Sequence, residues 1–215
     1  MDPYYFHYWS AELSLAKRLE TAFRLTGVSE DLQNKVMDFL EPLKKAHLPT
    51  YEHSLRVGIL ASQIAALFEI DIQLSLLAGL LHDTGKINML NLLDKVGDWT
   101  LSDRLQMEQH VMFGHNKVMN HFGNPFENIA QAMVRHHFFQ PNPYPKHVPS
   151  TLCECDIIRA RSIHRCGHVI SVADMYDAMH RGGKPKSVRR ALIVRYDGNR
   201  HFVERAYEIG IFTTP

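Results

Sequence analysis

The sequence predicts an all-α protein that folds as a single-domain helical bundle, and three observations carry this prediction. Apolar residues recur at helical spacing through most of the 215 residues. No stretch alternates apolar and polar residues long enough to indicate a β-strand. Hydrophobic residues make up 45% of the chain, so a domain of this length can bury a sizeable core.

The first two helices are expected at the N-terminal end. One covers about residues 10–26 and should stop at Gly27, because glycine commonly terminates helices. Ser29 suits the N-cap of the next helix, since acidic residues follow it in the first turn. Pro42 should kink or end that second helix.

The other helices follow from the same kind of pattern. Thr50 and Asp71 each precede a strongly apolar helical stretch. Four prolines make residues 138–150 a loop. The last predicted helix has a break near Asp197 and Gly198. The remaining helices are expected over 51–70, 72–85, 102–122, 126–138, 167–180 and 187–209.

Composition limits the location and the partners. A net charge of +1 gives no electrostatic drive toward duplex nucleic acid or an acidic membrane. The most apolar region is interrupted by Glu69 and Asp71, so it does not predict a membrane span. We expect no signal peptide, because the first ten residues lack a basic start followed by an apolar stretch. We therefore expect a cytoplasmic protein that binds a small molecule, and its oligomeric state stays open.

Three cysteines do not form a disulfide framework. Cys153 and Cys155 could be combined with Cys166 and His168 into a zinc site, but their spacing matches no common zinc finger. Free thiols in a reducing compartment are the favoured interpretation.

Fourteen histidines are the compositional oddity, and several interrupt apolar helices together with aspartates. A charged or polar side chain is costly to bury unless it is paired or binds an ion. Imidazole and carboxylate without thiolate suit iron or manganese, and less often zinc or magnesium. The candidate ligands are His53, His82, Asp83, His110, His136, His137 and Asp174.

These residues resemble the motifs of the HD superfamily of metal-dependent phosphohydrolases. The closer resemblance is to its HD-GYP branch, whose best-known members hydrolyse cyclic di-GMP. The match covers about residues 50–182, and residues 1–48 have no counterpart in it. The matching segments are "TYEHSLRVGILA", "LLHDTGKI", "LLDKVGDWTLSDRLQMEQHVMFGH", "RHH" and "VADMYDAM".

The resemblance implies a division of the chain and a set of partners. Residues 1–48 would be N-terminal helices packed on a catalytic domain of 49–215, or alternatively an input or partner surface. The implied cofactors are two divalent transition-metal ions, Fe or Mn first, with Zn, Mg, Ni or Co as further possibilities. The implied substrate is a small-molecule phosphoester of nucleotide type.

The resemblance also assigns roles. Asp83 would bridge the two ions and act in catalysis, and water activated between the ions would attack phosphorus. Lys86 would be catalytic and would hold a phosphate oxygen or the leaving group. Of the other ligands, His53, His82 and Asp174 would complete one ion, and His110, His136 and His137 the other.

This chain departs from the HD-GYP pattern after the double histidine. The branch reads HHExxDGxGYP, whereas this chain reads "HHFFQPNPYP", in which only Tyr144 and Pro145 match the signature. Phe138, Phe139 and the prolines should make the pocket rim narrower and more apolar, so cyclic di-GMP is possible but not favoured. Pro49 stands where a third-metal glutamate would be, which favours two ions. The expected substrate-binding residues are Lys86, Tyr144, Arg181, Lys184 and Lys186.

Two other functions stay open: a di-iron oxygenase of a small molecule, and a catalytically silent binding module. Gly85 should permit a tight turn or a close backbone approach, and Gly114 should let a helix come near His110. Asp177 could orient a ligand or pack a helix. The histidines outside the ligand set are expected at the surface or in loops, namely His115, His121, His147, His164, His180 and His201.

Overall fold

A computed structural model describes residues 13–148, 156–181 and 188–213, and every regular element in these ranges is a helix. The all-α prediction is therefore confirmed. The α-helices are α1 (Leu15–Thr26), α2 (Glu30–Ala46), α3 (Leu48–Leu67), α4 (Ile72–Leu81), α5 (Leu90–Leu93), α6 (Leu101–Glu108), α7 (His110–Phe122), α8 (Glu127–Met133), α9 (Ile157–Arg181), α10 (Val188–Arg195) and α11 (Arg200–Glu208). Short 3₁₀ helices cover Thr84–Met89 and Asn124–Phe126.

Helix α3 is the central element of the bundle. It packs against α1, α2, α4 and α9. A helix that is apolar on all sides needs neighbours on all sides, and α3 buries side chains around its whole circumference, including Val57, Ile59, Leu60, Ala61 and Ile64. Every neighbour of α3 is thereby placed relative to His53, which lies in its second turn.

Two glycines set the crossing of α3 and α4. A Cβ atom on Gly79 would lie 2.7 Å from Cα of Gly58, and a Cβ on Gly58 would lie 2.8 Å from the side chain of Leu80. The two helix backbones can therefore come together only because both positions lack a side chain. This close crossing brings the end of α4, with His82 and Asp83, next to His53 on α3.

A second close approach fixes the 3₁₀ helix Thr84–Met89 against α7. A Cβ on Gly85 would overlap the carbonyl oxygen of His110 and would lie 2.6 Å from the nitrogen of Gly114. The expectation that Gly85 and Gly114 permit close backbone approach is confirmed. The contact places Asp83 and Lys86 beside the start of α7, where His110 lies.

Several predicted helix ends are confirmed. Gly27 follows α1 in the left-handed region with φ 70°. The Ser29 hydroxyl accepts a hydrogen bond from the Leu32 N–H over 3.4 Å, and the Asp71 carboxylate accepts one from the Leu74 N–H over 2.8 Å. Helices α1 and α2 both contact α3, but the division of the chain at residue 48 stays a prediction.

Other predicted boundaries are wrong. Helix α2 does not end at Pro42 but continues to Ala46, and Leu40 and Leu43 near the proline are buried in the core, whereas a kink at Pro42 stays a prediction. The helix expected over 102–122 is split at Gln109 into α6 and α7. Helix α9 begins ten residues earlier than expected, at Ile157. The break near Asp197 is confirmed, since it separates α10 from α11.

The structure bears on two further expectations, which concern a membrane span and the cysteines. No helix in the described ranges is long and apolar enough to cross a membrane. Cys166 is buried, and its sulfur accepts a hydrogen bond from the Ser75 hydroxyl over 3.3 Å. Cys153 and Cys155 lie outside the described residues, so the zinc alternative is not tested there.

Candidate metal centre

The side chains proposed as ligands form one buried cluster between α3, α4, α7, α8 and α9. Three overlapping groups in it have ligand atoms within 4.8 Å of one another, spacing that could hold metal ions. Their role as ligands stays a prediction, but their convergence needs five separate segments of the chain. The cluster contains His53, His82, Asp83, His110, His136, His137 and Asp174, all of them buried.

One half of the cluster joins α3, α4 and α9. Nε2 of His53 lies 3.0 Å from Oδ1 of Asp174. Nε2 of His82 lies 3.8 Å from the same oxygen, and the His53 and His82 rings meet edge to face with centroids 5.2 Å apart. Two imidazoles and one carboxylate therefore face a common point.

The other half consists of imidazoles from the start of α7 and the turn after α8. Nε2 of His110 and Nε2 of His136 are 3.3 Å apart. The ring of His137 is 5.2 Å from that of His110 and 4.0 Å from that of His136, measured between centroids. These are the three histidines that the resemblance assigns to the second ion, and their role as donors stays a prediction.

Asp83 lies between the two halves. Its Oδ2 is 3.5 Å from Nε2 of His53 and 3.4 Å from Nε2 of His82, whereas its Oδ1 is 3.3 Å from Nε2 of His110. Oδ2 also accepts a hydrogen bond from Nζ of Lys86 over 2.6 Å. One carboxylate thus directs an oxygen toward each half, as a bridging ligand would.

Three of the imidazoles are anchored in the same way, each by the carbonyl three residues earlier. Because a carbonyl oxygen can only accept, Nδ1 must carry the proton, which leaves the Nε2 lone pair directed into the cluster. The three bonds run from His82 to Gly79 (2.7 Å), from His110 to Met107 (2.6 Å) and from His136 to Met133 (2.5 Å).

These bonds also explain where three helices stop. Helices α4, α6 and α8 end within three residues before His82, His110 and His136, and each imidazole bonds to one of the last carbonyls. The negative ends of three helix dipoles therefore converge on the cluster, and they favour bound cations. The break at Gln109 arises here, because the His110 ring bonds to the Met107 carbonyl.

His53 is oriented by Asp177, which supports the orienting alternative for this aspartate. Nδ1 of His53 donates to Oδ2 of Asp177 over 2.7 Å. Arg56 in turn donates to both oxygens of Asp177, over 2.7 and 3.2 Å. Burial opposes protonation of His53, but the hydrogen bonds to Asp174 and Asp177 outweigh it and raise the pKa of His53. Arg56 was not predicted, although its position three residues after His53 places it on the same helix face.

His137 is held differently. Its Nδ1 lies 2.6 Å from Nε2 of Gln140, so the amide donates and His137 accepts. Ligation through Nε2 of His137 therefore requires Gln140 to turn its amide oxygen toward Nδ1. Gln140 is a second residue that the sequence did not reveal, because a lone glutamine in a proline-rich loop carries no pattern.

The environment keeps the imidazoles of the second half neutral. Burial lowers the pKa of His110 and lowers that of His137 to about 3. Burial, together with neighbouring His137 and His82, holds the pKa of His136 well below its ordinary value. Neutral imidazole is the form that binds metal ions.

The carboxylates are kept ionised. Burial alone would raise the pKa of Asp83, but His82 and Lys86 hold it well below the usual range. Burial likewise opposes ionisation of Asp174, and the His53 hydrogen bond outweighs it and holds the pKa of Asp174 well below normal. Both carboxylates are thus negatively charged at neutral pH.

The donor set fits divalent transition-metal ions. Nε2 of His82 and Oδ1 of Asp83 are buried and have no hydrogen-bond partner among the described residues. Such polar atoms are costly to bury, and coordination to a cation would satisfy them. Nitrogen and carboxylate donors without thiolate suit iron, manganese or zinc.

The structure describes only some of the other predicted site residues. The Tyr144 ring stacks on the His137 ring with centroids 4.3 Å apart and an interplanar angle of 28°. Burial raises the pKa of Tyr144, so its hydroxyl keeps its proton. Arg181 is the last residue of α9, and the structure describes its backbone only. Lys184 and Lys186 lie outside the described residues.

Two expectations near the site are wrong. Phe139 is buried in the core, where its ring stacks on His168 at 3.5 Å, and half-buried Phe138 packs against the core beneath the guanidinium of Arg135. Phe139 therefore does not narrow a pocket rim as predicted, whereas the effect of Phe138 on the rim stays a prediction. His115 is buried rather than exposed, because α7 packs on both α8 and the 3₁₀ helix Thr84–Met89.

Comparisons with known proteins agree with this arrangement. A family model described as HD domain matches residues 50–179. Ribonuclease Y of Mycoplasma genitalium (strain ATCC 33530 / DSM 19775 / NCTC 10195 / G37) is 34% identical over 101 residues, which cover 47% of this chain and 16% of that protein. The chain thus matches less than a fifth of the length of this relative. No solved structure matches the chain.

Proposed function

Because the chain belongs to the HD domain family, we propose that it is a metal-dependent phosphohydrolase that cleaves a phosphoester of nucleotide type. The observation that carries the proposal is the position of Asp83. It directs one oxygen toward each group of imidazoles and accepts a hydrogen bond from Lys86. A carboxylate that could serve both ions, beside a positively charged side chain, would suit phosphoryl chemistry.

Two divalent transition-metal ions, Fe or Mn first, would be held by the seven clustered residues and would supply an activated water and positive charge for the phosphoryl oxygens. The protein contributes donor nitrogens whose orientation is fixed before any ion binds. The Nε2 lone pairs of His82, His110 and His136 face inward because each Nδ1 is bonded to a carbonyl. Preorganisation of this kind lowers the cost of binding and of charge stabilisation.

Lys86 is the proposed phosphate contact. Its side chain is 19% exposed while its Nζ lies 2.6 Å from buried Asp83, so the ammonium stands between the cluster and solvent. From there it can donate to a phosphoryl oxygen or to the departing oxygen, where negative charge grows in the transition state. This cation supports phosphoester hydrolysis over the oxygenase alternative, because it lies where a phosphoryl or departing oxygen gains negative charge.

The proposed substrate is a phosphodiester, supported by the similarity to a protein named Ribonuclease Y. A single-stranded or small substrate is favoured over duplex nucleic acid, because a net charge of +1 supplies little attraction for a duplex. Tyr144 beside His137 could stack on a base of such a substrate.

The test is metal analysis followed by a screen of phosphate esters. Purified protein should contain about two transition-metal equivalents per chain, and Asp83→Ala should lose most of them together with activity. Asp98→Ala, at an exposed position in a loop, is the matched control and should keep both. If the folded protein bound no metal and cleaved no phosphoester, the proposal would be wrong.

A further inference from the structure

Two histidines outside the central cluster form a pair on α9. His164 and His168 are four residues apart, so they are neighbours on one helix face. Their Nε2 atoms are 3.2 Å apart, and the rings meet edge to face with centroids 4.7 Å apart. Neither residue belongs to the proposed catalytic cluster.

The spacing of the two nitrogens suits a chelated ion. Zinc binds imidazole nitrogen at about 2.0–2.1 Å in tetrahedral geometry, which places two nitrogens roughly 3.3 Å apart. We propose that His164 and His168 form a second, solvent-open site for a divalent transition-metal ion such as Zn²⁺ or Cu²⁺, with water in the remaining positions. This inference does not rest on the proposed phosphohydrolase activity.

His168 is held rigidly in the required orientation. Its ring stacks on Phe139 with a centroid distance of 3.5 Å and an interplanar angle of 24°, and its Nδ1 lies 2.8 Å from the Tyr196 hydroxyl. The backbone at Gly198 closes over this contact, because a Cβ there would lie 2.5 Å from the Tyr196 oxygen and 2.8 Å from Nδ1. A side chain fixed before binding loses little entropy when it takes up an ion.

The hydrogen bonds permit the tautomer that binds metal. Nδ1–H of His168 can donate to the Tyr196 oxygen over 2.8 Å, and the Tyr196 hydroxyl can donate to the carbonyl oxygen of His168, 3.5 Å away. This arrangement leaves Nε2 of His168 without a proton, so it can accept a hydrogen bond from Nε2 of His164, and an ion would replace that bridging proton. Both rings are neutral at pH 7, since burial lowers the pKa of His168 to about 4, and partial burial, together with the nearby Arg135, lowers the pKa of His164, which still has an exposed side.

The site should be accessible but weaker than the central cluster. His164 is exposed, so an ion can enter from solvent. Among the described residues this pair offers two donors, neither is negatively charged, and the guanidinium of Arg135 repels a cation. In a titration this site should therefore fill after the central cluster.

The experiment compares wild type, His164→Ala and the control His201→Ala after dialysis against excess Zn²⁺. His164 and His201 are both exposed, so neither substitution should disturb the fold, which circular dichroism checks. Wild type and His201→Ala should bind about one equivalent more than His164→Ala. The Cu²⁺ electron paramagnetic resonance signal of the last equivalent should show two nitrogen ligands in wild type and lose them in His164→Ala.

Two outcomes would overturn the proposal. In one, all three proteins bind the same number of ions. In the other, His201→Ala loses an equivalent just as His164→Ala does, which would indicate nonspecific binding to surface histidines. Phosphoesterase activity is not part of this readout, so the metal site and the proposed function succeed or fail separately.

Discussion

Nδ1 of His53 donates a hydrogen bond to Oδ2 of Asp177, which lies 2.7 Å away on α9. The same carboxylate is fixed by two hydrogen bonds from Arg56, one helical turn after His53 on α3. The pair thus ties the two helices that supply His53 and Asp174, and it sets which nitrogen of His53 faces the cluster. Carboxylates that hold a ligand imidazole in this way also increase its basicity.

Asp177→Asn should weaken metal binding, and the protein should remain folded. The amide keeps the size of the carboxylate but loses its charge, so His53 is held less firmly and is a weaker donor. We expect about a 10–100-fold loss of metal affinity, measured by competition with a chelator.

Asp38→Asn is the control, because Asp38 is exposed on α2. The expectation is that its metal affinity equals that of wild type. Equal affinities for Asp177→Asn and wild type would show that the His53 contact does not support metal binding.

The helix caps at Ser29 and Asp71 could be predicted from the sequence, because capping depends on residues within one turn. The candidate ligands could also be identified, since buried histidines and aspartates stand out against apolar helices. The split at Gln109 could not, because it depends on a side-chain bond to Met107. Phe139 was misplaced for a related reason: its direction is decided by contact with His168 on α9.

Lys86→Ala should separate metal binding from turnover. A protonated lysine is not a ligand, and removal of its positive charge beside Asp83 should not weaken cation binding. Both ions should therefore remain, whereas kcat on the best phosphoester should fall about 10²-fold, as for loss of one charge-stabilising donor.

Lys45→Ala, at an exposed position on α2, should leave kcat unchanged. If Lys86→Ala also left kcat unchanged, Lys86 would have no role in the reaction. Loss of the metal ions from Lys86→Ala would instead indicate that it supports the cluster structurally.

Gly85→Ala should damage both stability and metal binding. The added Cβ would meet backbone atoms of His110 and Gly114, so the 3₁₀ helix must move away from α7. We expect a loss of about 2–3 kcal/mol in the free energy of unfolding, with weaker metal binding because Asp83 moves relative to His110.

Gly97→Ala separates this clash from backbone strain. Gly97 has φ 98°, and no atom lies within 4 Å of an added Cβ. Strain alone should cost about 1–2 kcal/mol there, with metal affinity unchanged. Equal effects of the two substitutions on metal affinity, measured alongside denaturant unfolding, would contradict the proposed role of the close approach.

Cyclic di-GMP should be a poor substrate, and the reason lies in the loop after His137. Tyr144 stacks on His137, and Gln140 bonds to its Nδ1, so the loop folds back onto the cluster. Pro141 and Pro143 fix their own φ angles and restrict the residues before them. A ring of two joined nucleotides must approach past this loop as one rigid body, whereas a linear chain can present a single phosphate.

The measurement is kcat/KM for cyclic di-GMP, its linear product, mononucleotides, a short oligoribonucleotide and an aryl phosphate diester. We expect a linear or smaller ester to give the highest value, with Asp83→Ala as the control for contaminating nucleases. Tyr144→Ala should raise the value for cyclic di-GMP relative to the short oligoribonucleotide, because it removes a ring that covers His137 and on which a base of the linear substrate would stack. If wild type instead preferred cyclic di-GMP over the whole panel, the loop would be shaping a pocket for that ring, and the restriction inferred from Tyr144 and the two prolines would be wrong.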